Sequence, residues 1–138
     1  MKDYIRKTII AALLITAGIG GVTAKIVQRP AYMFGFSASF KDSTVYMTNV
    51  QRVDSTWIDT KTKFLIDREM YSFQLKRFLT EQMGEPASRV CIVVFAWNQK
   101  AAEKKMLKMK KKYTTKPVKP YEMIYVDEKD FKFAPVAR

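Results

Sequence analysis

The chain has 138 residues, with 25 Lys or Arg against 13 Asp or Glu and a formal net charge of +12. It contains no His and one Cys. These counts exclude Ser-His-Asp and Cys-His catalysis, His-ligated metal sites, Cys-x-x-Cys redox pairs and an intramolecular disulfide framework. Apolar residues make up 48 %, which is enough for a hydrophobic core, and the length corresponds to one domain.

Residues 1–24 have the composition of a secretory signal peptide. A positively charged start precedes the apolar run 9–15, and the segment ends in the short side chains of residues 22–24. This order of positive, apolar and small residues predicts export with cleavage after Ala24. The alternative is a retained N-terminal membrane anchor, but the apolar stretch is shorter than the about 20 residues that a spanning helix needs. We therefore expect a periplasmic protein or one associated with the cell envelope.

The first part of the mature chain has the pattern of a β-hairpin. Residues 25–33 contain Pro30 and no hydrophobic periodicity, so we predict a leader followed by a single α/β domain at 34–138. Apolar and polar residues alternate over 34–40, and the β-prone run 44–50 follows a turn sequence, which together predict two paired strands. Strand character is expected to continue irregularly towards Ile58.

The rest of the chain alternates between helix and strand patterns. The predicted elements are helices over 69–83 and 99–113, a central strand over 89–97, a strand over 121–126 and a short terminal strand over 131–133. The order β-β-α-β-α-β predicts an α/β or α+β fold, a two-layer sandwich with a mixed sheet of four to five strands. If the strands advance in one direction, right-handed crossovers place both helices on one face of that sheet.

One face of such a sheet would have no helix on it. Its apolar residues include Phe34, Phe36 and Phe40, which are candidates for a protein interface. We expect the leader and the C-terminal tail to cover this face. The alternative is that another chain covers it, which would make the protein a subunit of an envelope assembly.

The second predicted helix is unusually rich in lysine. Residues 98–120 hold nine Lys and a single acid, Glu103, for a net charge of +8. Lys104, Lys105, Lys108, Lys111 and Lys112 fall on the face opposite the apolar stripe, although like charges at this spacing repel one another. This face predicts binding of an anionic partner: lipid head groups at a membrane surface, an acidic polysaccharide or an acidic protein. Nucleic acid is not expected, because an exported protein rarely meets it.

The carboxylates give only a weak indication of catalysis. Asp54, Asp59, Asp67 and Glu69 form one cluster in the sequence, and paired carboxylates can hydrolyse glycosides. Their spacing does not select that chemistry, so a hydrolase is a minor alternative. We expect no enzymatic activity, no cofactor and no metal. The single thiol, Cys91, lies in an apolar run and is interpreted as a small core residue.

Three stretches of the chain carry a resemblance to known proteins. They are FSASFKDSTVY at 36–46, YSFQL at 71–75 and AEKK at 102–105. These stretches resemble a group of short, exported and functionally uncharacterised proteins of Bacteroidota-type Gram-negative bacteria. The resemblance implies a location in the periplasm or outer envelope and assigns no functional residue.

The sequence therefore predicts a non-catalytic, exported module of the cell envelope that binds an anionic component through its lysine-rich helix.

Overall fold

The computed structural model describes residues 25–138, so the predicted signal segment 1–24 lies outside the described residues. The elements in chain order are β1 (Ile26–Ala38), β2 (Thr44–Thr48), β3 (Gln51–Asp59), α1 (Arg68–Met83), β4 (Val90–Ala96), α2 (Gln99–Thr114) and β5 (Glu122–Val126). They form a mixed five-stranded sheet with two helices, which confirms the predicted α+β composition. Within residues 25–138, no helix is long and apolar enough to span a membrane.

Strand β1 is the centre of the sheet. It pairs antiparallel with β4, and it also pairs antiparallel with β3 and with β2, which follow one another along its other edge. Strand β5 adds to β2 in parallel. Across the sheet, β4 is therefore at one edge and β1 lies next to it. Strands β2 and β3 share the other edge of β1, and β5 lies beyond β2.

The prediction of a leader over residues 25–33 is wrong, because β1 begins at Ile26 and pairs with β3 along this stretch. The register of the two strands shifts between Arg29 and Ala31, which places Pro30 in an irregularity of the ladder. A proline is tolerated at such a bulge because its missing N–H is not needed for pairing. Pro30 thus marks a bulge inside a strand and not the segment before one.

The two helices pack on opposite faces of the sheet, so the prediction that they share one face is wrong. Leu75 of α1 belongs to the same core cluster as Met33 of β1, whereas Met106 of α2 packs against Phe34 and Phe36. The chain passes from β3 across β1 to β4 through α1, and returns from β4 to β5 through α2. Two crossovers of the same hand that run in opposite directions place their helices on opposite faces.

Helix α1 approaches the sheet closely at a glycine. A Cβ atom at Gly35 would lie 2.6 Å from Leu75 Cδ2 and 3.2 Å from Phe133 Cζ, which is closer than van der Waals contact allows. The backbone N–H of Gly35 donates to Thr48 Oγ1 at 2.8 Å. The absence of a side chain at this position therefore lets α1 and the C-terminal tail pack directly on β1.

The C-terminal tail lies on the α1 side of the sheet, but the strand predicted over 131–133 does not form. Two glutamine side chains bind the tail backbone instead. Gln51 donates to Phe131 O at 2.9 Å and accepts from Phe133 N at 2.8 Å, and Gln74 makes the same pair of bonds with Ala134 at 2.9 Å each. These amides satisfy backbone groups that would otherwise need a neighbouring strand.

A buried arginine ties the β1–β2 hairpin to the loop before β4. Arg89 is only 1 % exposed, and it donates to Ser37 Oγ at 3.2 Å and to the carbonyl oxygen of Thr44. Its guanidinium also pairs with Asp42 at 3.2 Å and with Glu85 at 3.3 Å. A buried cation with this many acceptors is fully compensated, and removal of its guanidinium leaves the acceptors unsatisfied.

Replacement of this arginine tests its contribution to stability. We expect Arg89→Met to lower the free energy of unfolding by about 2–4 kcal/mol, because the variant loses several charged hydrogen bonds in a buried setting. The matched control is Arg52→Met, which removes an exposed ion pair with Asp54 and should cost no more than about 1 kcal/mol. Urea unfolding of both variants measures the difference, and equal losses would contradict the assignment.

The same network predicts how stability depends on pH. The Tyr46 hydroxyl donates to Glu85 Oε1 at 2.5 Å, and burial, followed by this bond and by the charge of Glu85, raises the pKa of Tyr46 from 10.0 to about 12. Between these values the unfolded chain loses the tyrosine proton while the folded chain keeps it, so the free energy of unfolding falls as pH rises. Tyr46→Phe should remove this part of the slope in urea unfolding across the window. The variant Tyr125→Phe removes an exposed tyrosine hydroxyl outside this network and is the control, and an equal change of slope in both variants would contradict the assignment.

Candidate functional site

The three phenylalanines predicted as a protein interface have different environments. Phe34 and Phe36 are buried in the core beneath α2, so the prediction that they form an open interface is wrong. They are covered because α2 takes the face that was expected to lack a helix. Phe40 lies in the bend between β1 and β2 and is 97 % exposed.

Helix α2 is seated on the sheet by its apolar stripe. The Asn98 side chain accepts a hydrogen bond from Ala101 N at 2.8 Å and caps the first turn. Ala102 is fully buried, and Met106 and Met109 pack against the β1–β2 core. This packing fixes the rotation of the helix, so residues on its opposite side must face solvent.

Four of the five predicted lysines form an exposed row on that opposite side, which we call the lysine ridge: Lys104, Lys108, Lys111 and Lys112. The row spans about 12 Å along the helix at 1.5 Å per residue. The last two lie in the final turn, where positive charge is favoured by the helix dipole.

The charge of the lysine ridge is not neutralised inside the described part of the chain. The ion pairs of residues 25–138 involve other cations, and none includes a ridge lysine. The one acid of α2, Glu103, accepts a hydrogen bond from Gln99 at 3.0 Å. The ridge therefore presents four positive charges to whatever approaches it.

Lys105, the fifth predicted lysine, has a different neighbour. Its side chain is exposed, but Nζ donates to the backbone oxygen of Phe95 at 3.1 Å and lies 5.9 Å from the centroid of the Phe95 ring. Phe95 belongs to β4, which pairs only with β1 and is therefore an edge strand instead of the central strand predicted from its apolar sequence. A strand at the edge can still be apolar on both sides, because α1 and α2 each contact β4.

Arg68 of α1 makes the equivalent contact two residues earlier in β4. Its Nε donates to the carbonyl oxygen of Val93 at 2.9 Å, and a second guanidinium nitrogen donates to the same atom. Val93 is paired with Gly35 of β1, and the Gly35 N–H donates to Thr48 on the side of β1 away from β4. The two residues are therefore a pair without mutual hydrogen bonds, in which the Val93 carbonyl points away from β1. Arg68 and Lys105 thus cap two carbonyls along the open edge of the sheet.

Removal of both caps should expose that edge. Charged side chains on an edge strand prevent pairing with a second chain. We expect the double variant Arg68→Gln/Lys105→Gln to self-associate more than the native chain, shifting sedimentation velocity profiles towards larger species. Arg77→Gln/Lys104→Gln removes the same charge away from the edge and is the control. Matching profiles for the two variants would show that the caps do not guard β4.

The acidic residues considered for hydrolysis are spread over separate structural roles. Asp54 pairs with Arg52 at 2.8 Å on β3, and Asp59 Oδ1 accepts backbone hydrogen bonds from the following turn. Asp67 precedes α1 in a left-handed conformation, and Glu69 lies in the first turn of that helix. Each of the five cavities characterised within residues 25–138 is lined by at most one carboxylate, and Asp54 lines none of them.

Cys91 occupies a half-buried position on the α1 side of β4. Its thiol donates to Ser37 Oγ at 3.4 Å, and the side chain packs against the core cluster that contains Leu75. This environment agrees with the interpretation of Cys91 as a small packing residue.

A cavity that the sequence pattern does not reveal lies beside the C-terminal end of α2. It has a volume of about 350 Å³, and its lining includes Phe36, Tyr113, Tyr121 and Lys119. The sequence places Tyr113 on the apolar stripe of α2 and Tyr121 in the next strand. No local signal shows that the two rings meet 4.8 Å apart.

Comparison with family models, with curated proteins and with solved structures finds no match to this chain. The resemblance to exported proteins of Bacteroidota-type bacteria therefore stays an expectation, and the function has to be argued from the lysine ridge and the cavity.

Proposed function

We propose that the protein is an exported, non-catalytic module of the cell envelope that holds an anionic lipid surface through the lysine ridge. The observation that carries the proposal is a row of four exposed lysines without an ion-pair partner within residues 25–138, on a helix whose opposite side is fixed to the sheet. The signal-like composition of residues 1–24 supports a place outside the cytoplasm.

The arrangement of the ridge favours a membrane surface over a discrete acidic ligand. The amines follow one side of a rigid helix, and surface lysines contribute about 1 kcal/mol each near anionic lipid. Four such lysines would contribute about 4 kcal/mol, which corresponds to roughly a thousandfold in binding. That energy needs a surface with many negative charges, because no ridge lysine lines any of the five cavities characterised within residues 25–138.

An exposed leucine beside the ridge supports lipid as the anionic partner. Leu107 is 51 % exposed and lies one turn from both Lys104 and Lys111. Among the head groups of a bilayer an apolar side chain between lysines can enter the acyl boundary, as it does in interfacial amphipathic helices. An acidic polysaccharide offers the lysines the same charge but offers Leu107 no apolar environment.

Vesicle binding tests the proposal. Purified protein should sediment with vesicles of phosphatidylglycerol at low salt and be released at a few hundred millimolar salt. The Debye length is about 10 Å at 0.1 M and becomes shorter as salt is added, which weakens the attraction between the lysines and the lipid head groups. The variant with all four ridge lysines replaced by Gln should lose up to about a thousandfold of this partitioning. The single variant Leu107→Gln should also weaken binding to vesicles, but it should leave retention by an acidic polysaccharide resin unchanged.

The control removes four exposed lysines that are scattered over the rest of the surface: Lys41, Lys61, Lys129 and Lys132. Both quadruple variants have the same net charge. Equal loss of binding would mean that total charge and not the ridge is responsible. Binding to the polysaccharide resin alone would replace the lipid with a sugar polymer as partner.

The two other candidate functions have less support. Docking as an assembly subunit through a sheet face without a helix has less support, because α1 with the tail packs on one face and α2 on the other, and the apolar residues of β4 left exposed, Val90 and Ile92, lie at the margin of the sheet. The carboxylate hydrolase has less support because none of the five cavities characterised within residues 25–138 is lined by both Asp54 and Glu69.

A further inference from the structure

The cavity beside α2 has the lining of a small-molecule site. Phe36 of β1, Val90 and Ile92 of β4 and the rings of Tyr113 and Tyr121 line it. The Tyr113 ring lies 4.9 Å from the Phe36 ring and 4.8 Å from the Tyr121 ring, so three aromatic groups meet at one point. Its volume of about 350 Å³ falls within the range of ligand pockets, which are mainly apolar with a few polar groups.

Several apolar side chains around this cavity are left in solvent by the fold. Phe40 is 97 % exposed, Val90 is 46 % exposed and Ile92 is 37 % exposed, and all three line the same opening. Exposed apolar groups that cluster in one place mark a binding surface more often than scattered ones do. The hairpin that holds Phe40 is anchored by the Asp42–Arg89 ion pair, so the opening has a fixed frame.

One cation, Lys119, lines the opening, and the other lining residues are apolar or aromatic except for Ser39. The Lys119 Nζ lies 5.3 Å from the centroid of the Tyr121 ring, and within residues 25–138 it forms no ion pair. The nearest part of the chain is strongly positive, with a net charge of +8 over residues 98–120. The phenol of Tyr113 is protonated at neutral pH even at the ordinary pKa of a tyrosine, and burial, with a smaller effect of Tyr121, raises this pKa further, so the hydroxyl is a hydrogen-bond donor.

We propose that this cavity binds a medium-chain fatty acid, with the acyl chain against the apolar lining and the carboxylate at Lys119. At roughly 30 Å³ per heavy atom, the volume accommodates about a dozen atoms, which matches the carbon chain of dodecanoate with its two carboxylate oxygens outside at Lys119. An apolar chain with one terminal anion matches both features of the site, whereas a polyanion would leave the apolar lining exposed. The inference is independent of the proposed function, because no ridge lysine lines the cavity.

Isothermal titration calorimetry with dodecanoate, kept below its micelle concentration, tests the inference, with dodecanol as the neutral analogue. Lys119→Gln should weaken dodecanoate binding about tenfold, the effect of one lost charged hydrogen bond, and leave dodecanol binding unchanged. Lys61→Gln removes the same charge far from the cavity and should change neither. Val90→Trp places a large ring in the opening at an exposed position that tolerates size, and should abolish binding of both ligands while circular dichroism shows a native fold.

The outcomes separate the alternatives. Absence of binding by the native chain, binding that Val90→Trp leaves intact, or equal losses for Lys119→Gln and Lys61→Gln would each overturn the assignment. Binding to lipid vesicles without binding to free dodecanoate would also overturn it, because acyl chains would then be contacted only within a membrane. A native dimer that Val90→Trp converts to a monomer would make the cavity an interface between copies. Dodecanoate binding by the ridge variant, in which all four ridge lysines are Gln, should match the native value, so failure of one proposal leaves the other standing.

Discussion

The C-terminal half of β1, residues 31–37, is shielded from solvent on both faces, and the other layers are arranged around that requirement. Met33 and Phe34 are consecutive and point to opposite sides, yet each is fully buried. Burial of both requires a cover on each face, which α1 with the C-terminal tail provides on one side and α2 on the other. The antiparallel partners of β1 on both edges complete this enclosure, so β1 holds the remaining elements in register.

The location of both candidate sites follows from the side of the sheet that α2 covers. The helix packs Met106 and Met109 against β1 and β2, and this orientation places the ridge lysines on the side that faces solvent. It covers the sheet incompletely, however, because β4 extends beyond it and leaves Val90 and Ile92 exposed next to the β1–β2 bend. Both candidate sites thus follow from the packing of α2 on the sheet. The ridge is the charged side of the helix that faces solvent, and the cavity lies at the apolar margin of the sheet that the helix does not cover.

Local patterns predict the elements well and their arrangement poorly. The apolar spacing and Gly84 correctly place the end of α1, and the stripe of α2 correctly places the four ridge lysines on the exposed side, because both depend on neighbours within one helix. The face that each helix covers depends on the direction in which successive strands are added, and periodicity within a strand does not encode that direction. For the same reason the sequence around Pro30 predicts a leader, although this stretch pairs with β3 and belongs to the sheet.

The positions of Lys105 and Lys119 show why charge counts alone do not define a binding site. Both belong to the same basic segment, but Lys105 donates to a backbone carbonyl at the edge of β4, and Lys119 lies over an aromatic ring at the mouth of the cavity. Arg68 performs the edge-capping role from the opposite helix, so two helices on opposite faces protect one strand edge from pairing. A segment with a net charge of +8 therefore contains three kinds of lysine, which cap the sheet, line a cavity or face solvent. Only the last group is free to hold an extended anionic surface.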